Sequence, residues 1–296
     1  MRLFRGATEV CAVEEAEVKR YINETTSSKT EVYNGYSLPL EAPESLEWAQ
    51  KSAEYYHKQS IEQILDENGK YMSESDRNRV IQGADYIRAV EHNPDRGYTG
   101  CYSFFDGKSR MEVSAIDQQQ IERSIKHETN HFASKNVEMI VPKPDRNGYY
   151  IYQAVGTRQM SWFHSNETGN NSEMISKGQG LNEGLTTMYT NKQLMELSRE
   201  KGESAERQGI YSHATELCGQ LEMILGEDIL KEAYYGGNLQ KLKETVDFLA
   251  GENGFEKLRE CLDRTISSNY VERVMAMRDA QEILAKMYER GEKKAC

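Results

Sequence analysis

The sequence predicts an α+β fold, with strands gathered around one helix in the middle of the chain and helices before and after them. Three observations lead there. All five prolines lie at or before Pro144, which leaves the remainder free to be helical. Two dipeptides of strong turn preference, Asp106-Gly107 and Asn147-Gly148, each separate short strand-like runs. From Gly180 onward apolar residues recur at helical spacing, punctuated by glycines at 226, 236, 237, 251 and 254.

Taken in order, residues 24–37 are rich in Thr, Ser, Asn and Gly and read as a loop. Pro43 opens a helix that places Leu46, Ala49, Ala53 and Tyr56 on one face. Helical character continues over 61–65 and again over 75–90, and ends at the run from His92 to Gly97. Strands are expected over 98–105 and 109–114. A helix over 117–135 follows, with Asp117 as N-cap and Gln120 three residues on, the pattern of a capping box. A second hairpin over 137–141 and 149–155 comes next. Helices are then expected over 182–199, 204–225, 227–235, 238–250, 254–264 and 268–290. This order divides the chain into a mainly helical region 1–95, a core 96–200 and a helical region 201–296.

Composition narrows the function. With 37 Lys and Arg against 48 Asp and Glu, the net charge is -11, which argues against a general nucleic-acid binder. No apolar stretch is long enough to cross a bilayer, and the arginines near the start precede no apolar run. A cytoplasmic protein without membrane attachment is therefore expected. Five scattered cysteines (Cys11, Cys101, Cys218, Cys261, Cys296) form no Cys-x-x-Cys pair, so they read as reduced, structural thiols.

The chemistry lies in His127-Glu128-Thr129-Asn130-His131, a His-Glu-x-x-His pattern on the capped helix. Residues four apart are separated by about 40° around a helix, so both imidazoles leave one face and can share a metal ion. Glu128 lies about 100° from His127, within reach of a water on that ion without ligating it. Ile121 and Ile125 fall well round the helix and would anchor it in a core. Two histidines do not close a zinc site. A third histidine six residues past His131 is excluded, because Ser134 and Val137 stand where that pattern needs Gly and His. Glu183, within Leu181-Asn182-Glu183-Gly184 at the start of a helix, is a candidate carboxylate ligand.

At these residues the sequence resembles the gluzincin metallopeptidases, whose third ligand is a glutamate on a second helix, often within Asn-Glu-Gly or Asn-Glu-Ala. The resemblance implies a zincin-like core with two hairpins around the active-site helix and a mostly helical C-terminal part. It assigns His127, His131 and Glu183 to Zn2+ and Glu128 to the general base. Where the family often has a carboxylate four residues past the glutamate, this chain has Thr187, so the partner orienting a ligating imidazole must come from elsewhere. Thr129 and Asn130 are also more polar than is usual between the two histidines. Related enzymes place a transition-state hydrogen-bond donor in the C-terminal part, where Tyr211 and His213 are the candidates.

The expected activity is peptide-bond hydrolysis by a zinc-bound water that Glu128 activates, on a peptide or protein substrate. The alternative is an inactive zinc-binding relative that binds peptides or serves a structural role. Of the remaining candidates, Glu112 reads as an outward strand residue on a strand that would offer an edge to an extended peptide. His164 reads as loop packing, and His57 and His92 as surface residues.

Overall fold

A computed structural model describes residues 46–93, 95, 98–201 and 211–295. The expected loop at 24–37, the helix entry at Pro43 and the start of the helix expected from 204 lie outside them.

Helix α1 (Leu46–Asn68) buries Ala49, Ala53 and Tyr56 of the expected face together with Trp48, whereas Leu46, at the start of the helix, is 42% exposed. After α2 (Glu74–Gln82), Gly83 turns the backbone to φ +81° and ends the helix. The helix expected over 75–90 therefore stops early. Tyr86–Glu91 is instead a strand, β1, in which Tyr86, Ile87 and Val90 suit a half-buried pleated position. It runs parallel to β3 (Lys108–Ala115), and β2 (Gly100–Phe105) pairs with β3 antiparallel, giving the order β1-β3-β2. The β2–β3 turn is the expected one, with Asp106 and Gly107 at φ 52° and 62°. Because β3 is the central strand, it offers no edge to a peptide. Along β1, Gln50 of α1 accepts from the Ala89 N–H and donates to the Ile87 carbonyl, covering that edge.

Helix α3 (Gln118–Ala133) carries the His-Glu-x-x-His pattern. Asp117 caps it by accepting from the Gln120 N–H at 2.8 Å. The reciprocal half of the capping box is missing, since the Gln120 amide turns to Thr99 and Ser124. At the other end Arg79 donates to the carbonyls of Phe132 and Ser134, neutralising the negative helix terminus. Ile121 and Ile125 are fully buried against Trp48, Ala53, Ala89 and Val113.

A second, antiparallel sheet follows in the order β4-β5-β6-β7, from β4 (Asn136–Lys143), β5 (Gly148–Val155), β6 (Arg158–Ser165) and β7 (Ile175–Lys177). The β4–β5 connection is not a two-residue turn at Asn147-Gly148. It contains a 3-10 turn at Pro144–Arg146, Asn147 takes φ 47°, and Gly148 already pairs with Lys143. Strands β6 and β7 fall outside the elements expected from the sequence.

The helical remainder follows expectation closely. It comprises α4 (Gln179–Lys201), α5 (Ser212–Leu225), α6 (Glu227–Tyr234), α7 (Leu239–Ala250), α8 (Gly254–Thr265) and α9 (Tyr270–Ala295). One core joins Ile64, Met111, Phe132, Leu185, Leu217, Leu258 and Leu284, so α1, β3, α3 and the C-terminal helices share an interior. Among the described residues no helix is long and apolar enough to cross a membrane.

His57 is a correction to the sequence reading. It is 5% exposed, within the α1–α3 interface. Thr129 spends its hydroxyl proton on the Ile125 carbonyl, so it accepts from His57 Nδ1–H at 2.9 Å, and His57 Nε2 accepts from the Ala84 N–H. Burial pushes the imidazole down to about 4 from its ordinary 6.5. An unfolded chain takes up a proton in that window and the folded chain does not. The stabilisation is complete above pH 6.5 and drains as pH falls toward 4, by about 3 kcal/mol. Urea unfolding at pH 7 and pH 4.5 should show a smaller acid loss for His57→Gln, whose amide can accept from the Ala84 N–H as Nε2 does and does not titrate. Equal losses in the two proteins would remove His57 from the account.

Candidate metal centre

The centre is assembled from α3 and α4, and glycines set how closely α4 can be approached. A Cβ on Gly180 would lie 2.0 Å from the Leu262 carbonyl of α8. One on Gly184 would lie 2.6 Å from Cys218 Sγ of α5. Both positions need glycine for space, not for backbone conformation. The Asp263 carboxylate accepts from the N–H groups of Gly178 and Gly180 at 2.8 Å each, anchoring the start of α4 from α8. Glu183 follows one turn later and faces α3.

There it meets both histidines. His127 Nε2 and His131 Nε2 each lie 3.2 Å from the same atom, Glu183 Oε2, and the three donor atoms lie within 4.8 Å of one another. Ligands at zinc-like bond lengths and tetrahedral angles are about 3.4 Å apart, so the donor spacing suits such a cation. Burial pushes the Glu183 carboxyl up, but His131 and His127 outweigh it and hold the group well below the usual carboxylate range.

The partner that the sequence left unassigned is a neutral network around His131 Nδ1. Asn182 Nδ2 lies 3.1 Å away and Thr186 Oγ1 3.3 Å away. Asn182 is itself set by accepting from the Thr157 N–H in the β5–β6 turn. Thr186 donates to the Asn182 carbonyl at 2.7 Å, so Tyr234 donates to Thr186, whose oxygen is left to accept from a His131 Nδ1–H. With the proton there, Nε2 presents its lone pair to a cation. With the proton on Nε2, the ring donates to Glu183 and Nδ1 accepts from Asn182. The first arrangement, which turns the Nε2 lone pair toward Glu183 Oε2, is the one that fits a metal.

The polar residues between the histidines are structural ties. Thr129 holds His57, while Asn130 accepts from Tyr235 at 2.9 Å and donates to Thr190 and Gln193 of α4. Glu128 is 6% exposed and packs against Gly100, where a Cβ would come within 2.6 Å of its Oε1. Burial raises its carboxyl to about 7, with Glu183 adding to the rise and His127 and the Tyr102 backbone N–H opposing it.

Of the two candidate donors, Tyr211 stacks on His127 with ring centroids 6.2 Å apart. Burial raises its hydroxyl, Glu183 and Glu128 raise it further, and it stays protonated. His213 makes no ring or hydrogen-bond contact with the triad or Glu128 among the described interactions. His164 stacks on Tyr149 and lies 2.8 Å from Asn171, within the second sheet. Sequence reasoning missed Tyr102, which stacks on His131 at 6.4 Å, and Arg158 at the start of β6. Burial lowers the Arg158 guanidinium, opposed by Glu183, Asp263 and Tyr211. Neither residue belongs to a pattern that spacing reveals.

Set against protein-family models, curated proteins and solved structures, the chain matches none. The resemblance to the gluzincins thus rests on the α3 motif and the Leu-Asn-Glu-Gly segment.

Gly180→Ala should force α4 from α8, lowering unfolding free energy by about 1–3 kcal/mol and weakening metal binding through displacement of Glu183. Urea unfolding and chelator competition measure the two effects. Wild-type values in both would show that the close approach does not set the centre.

Proposed function

We propose that the chain is a zinc-dependent metallopeptidase of the gluzincin type, built on a zincin-like core. The observation that carries this reading is the convergence of His127 Nε2, His131 Nε2 and Glu183 Oε2, with the Glu128 carboxyl beside it. A zinc ion held by those three atoms supplies Lewis acidity toward a substrate carbonyl and a water.

The chain's own residues do the rest. Glu128 takes a proton from the attacking water as its oxygen adds to the carbonyl carbon. It then delivers that proton to the amine nitrogen as the C–N bond breaks. A carboxyl raised to about 7 by burial suits both halves of that exchange. Tyr211 keeps its proton and donates to the developing oxyanion from its place over His127. Tyr211 is preferred to His213 because it alone has a contact with the triad. The substrate backbone adds to β2, an edge strand bordered at Gly100 and Tyr102 by Glu128.

The neutral partners of His131 favour a second reading, a zinc protein that binds peptides without cleaving them. Elemental analysis and peptide turnover separate the two. Glu128→Gln should retain zinc and lose hydrolysis by about 10²-fold or more, while His127→Ala and Glu183→Ala should lose the metal. Undiminished hydrolysis by Glu128→Gln would overturn the mechanism, and zinc retained by Glu183→Ala would overturn the third ligand. Full zinc occupancy without turnover on a broad peptide library would leave the binding protein.

A further inference from the structure

The peptide path along β2 is closed at one end. In the β2–β3 ladder the Thr99 carbonyl accepts from the Ser114 N–H, and Phe105 faces Lys108 across the two-residue turn. Alternation then turns the N–H and C=O groups of 101, 103 and 105 toward β3, and those of Gly100, Tyr102 and Phe104 toward the open edge. Tyr102 stands beside the centre with its ring stacked on His131, and Glu128 packs on Gly100 of the same strand. The Phe104 carbonyl accepts from Gln153 Nε2 of β5 at 2.8 Å. Gln153 is 8% exposed and its amide also donates to Glu138 Oε2 of β4 at 2.5 Å. It closes this edge as Gln50 closes the opposite edge along β1.

From Tyr102 to Phe104 is about 7 Å along a strand, the span of two residues of an extended peptide. Antiparallel addition, the more stable pairing per residue, sets the substrate's N-terminal side at Phe104. Glu138 brings a carboxylate to that same end, the charge that a peptide's α-ammonium would meet.

We propose, resting on the peptidase reading, that Gln153 is a specificity-determining stop that restricts the site to bonds within about two residues of a substrate's N-terminus. The preferred substrates are peptides with a free α-ammonium, and interior bonds of long chains are excluded.

The test uses the zinc-loaded protein and nested synthetic peptides of one sequence, lengthened by alanines at either end, with the N-terminus free or acetylated. Mass spectrometry should find cleavage only near free N-termini, insensitive to C-terminal extension. Gln153→Ala should raise kcat/KM on N-terminally extended peptides relative to short ones by about tenfold, roughly the worth of one displaced hydrogen bond. Should that variant fail to fold, Glu138→Ala, which frees Gln153 on the β4 side, should shift the same ratio. Wild-type cleavage of interior bonds, or dependence on the C-terminal end instead, would overturn the proposal. So would an unchanged ratio in a folded Gln153 variant. If nothing is cleaved, the peptidase reading fails separately, and the stop is read from binding of the same peptides to zinc-loaded Glu128→Gln by fluorescence anisotropy. Equal affinity for short and N-extended peptides would then overturn it.

Discussion

Helix α3 takes Ser124, Glu128, Thr129, Asn130 and His131 into the interior, and each such group costs about 1–3 kcal/mol if left without a partner. Its apolar anchors Ile121, Ile125 and Phe132 contribute about as much apiece by burial. One lost partner therefore cancels one anchor, and the surrounding elements are placed to prevent that loss. Helix α1 brings His57 to Thr129, the end of α6 brings Tyr235 to Asn130, and α4 brings Asn182 and Thr186 to His131. Thr129, Asn130 and His131 thus each draw a partner from an element distant in sequence, beside the apolar contacts of Ile121, Ile125 and Phe132.

Much of this was legible in the sequence because it is local. The Asp117 cap, the Asp106-Gly107 turn and the glycines ending the C-terminal helices depend on neighbours a few residues away. The i, i+4 histidines needed only helix geometry, and Leu-Asn-Glu-Gly pointed to Glu183. The failures are those where tertiary contacts decide. Tyr86–Glu91 reads as helix or strand on its own, and pairing with β3 together with the Gly83 stop selects strand. Strand β6 is marked only by Gly156-Thr157, whose turn is set by packing against Asn182 and Tyr234. His57 has no partner nearby in sequence, since its bonds go to Thr129 and Ala84. Nothing near Gly180 and Gly184 in the sequence accounts for them, whereas backbone proximity to α8 and α5 does.

Two carboxylates at the centre are driven in opposite directions by their surroundings. Glu183 is buried yet stays ionised because two imidazoles close on one of its oxygens. Glu128, one residue from His127 but pressed on Gly100, has only a backbone N–H and a more distant imidazole to offset its burial. One environment suits a ligand and the other a group that exchanges protons. The difference lies in what α4 and β2 bring up, not in the residue type.

The clasp of Asp263 on the first turn of α4 has a bearing on how the protein matures. Two imidazoles belong to a helix finished by Ala133, yet the acid that joins them sits on a helix whose start is pinned by Asp263, 83 residues beyond Gly180. During synthesis a growing polypeptide can present the histidines well before α8 has emerged to hold α4 in register. Closure of the His127, His131 and Glu183 cluster would then await nearly the whole fold.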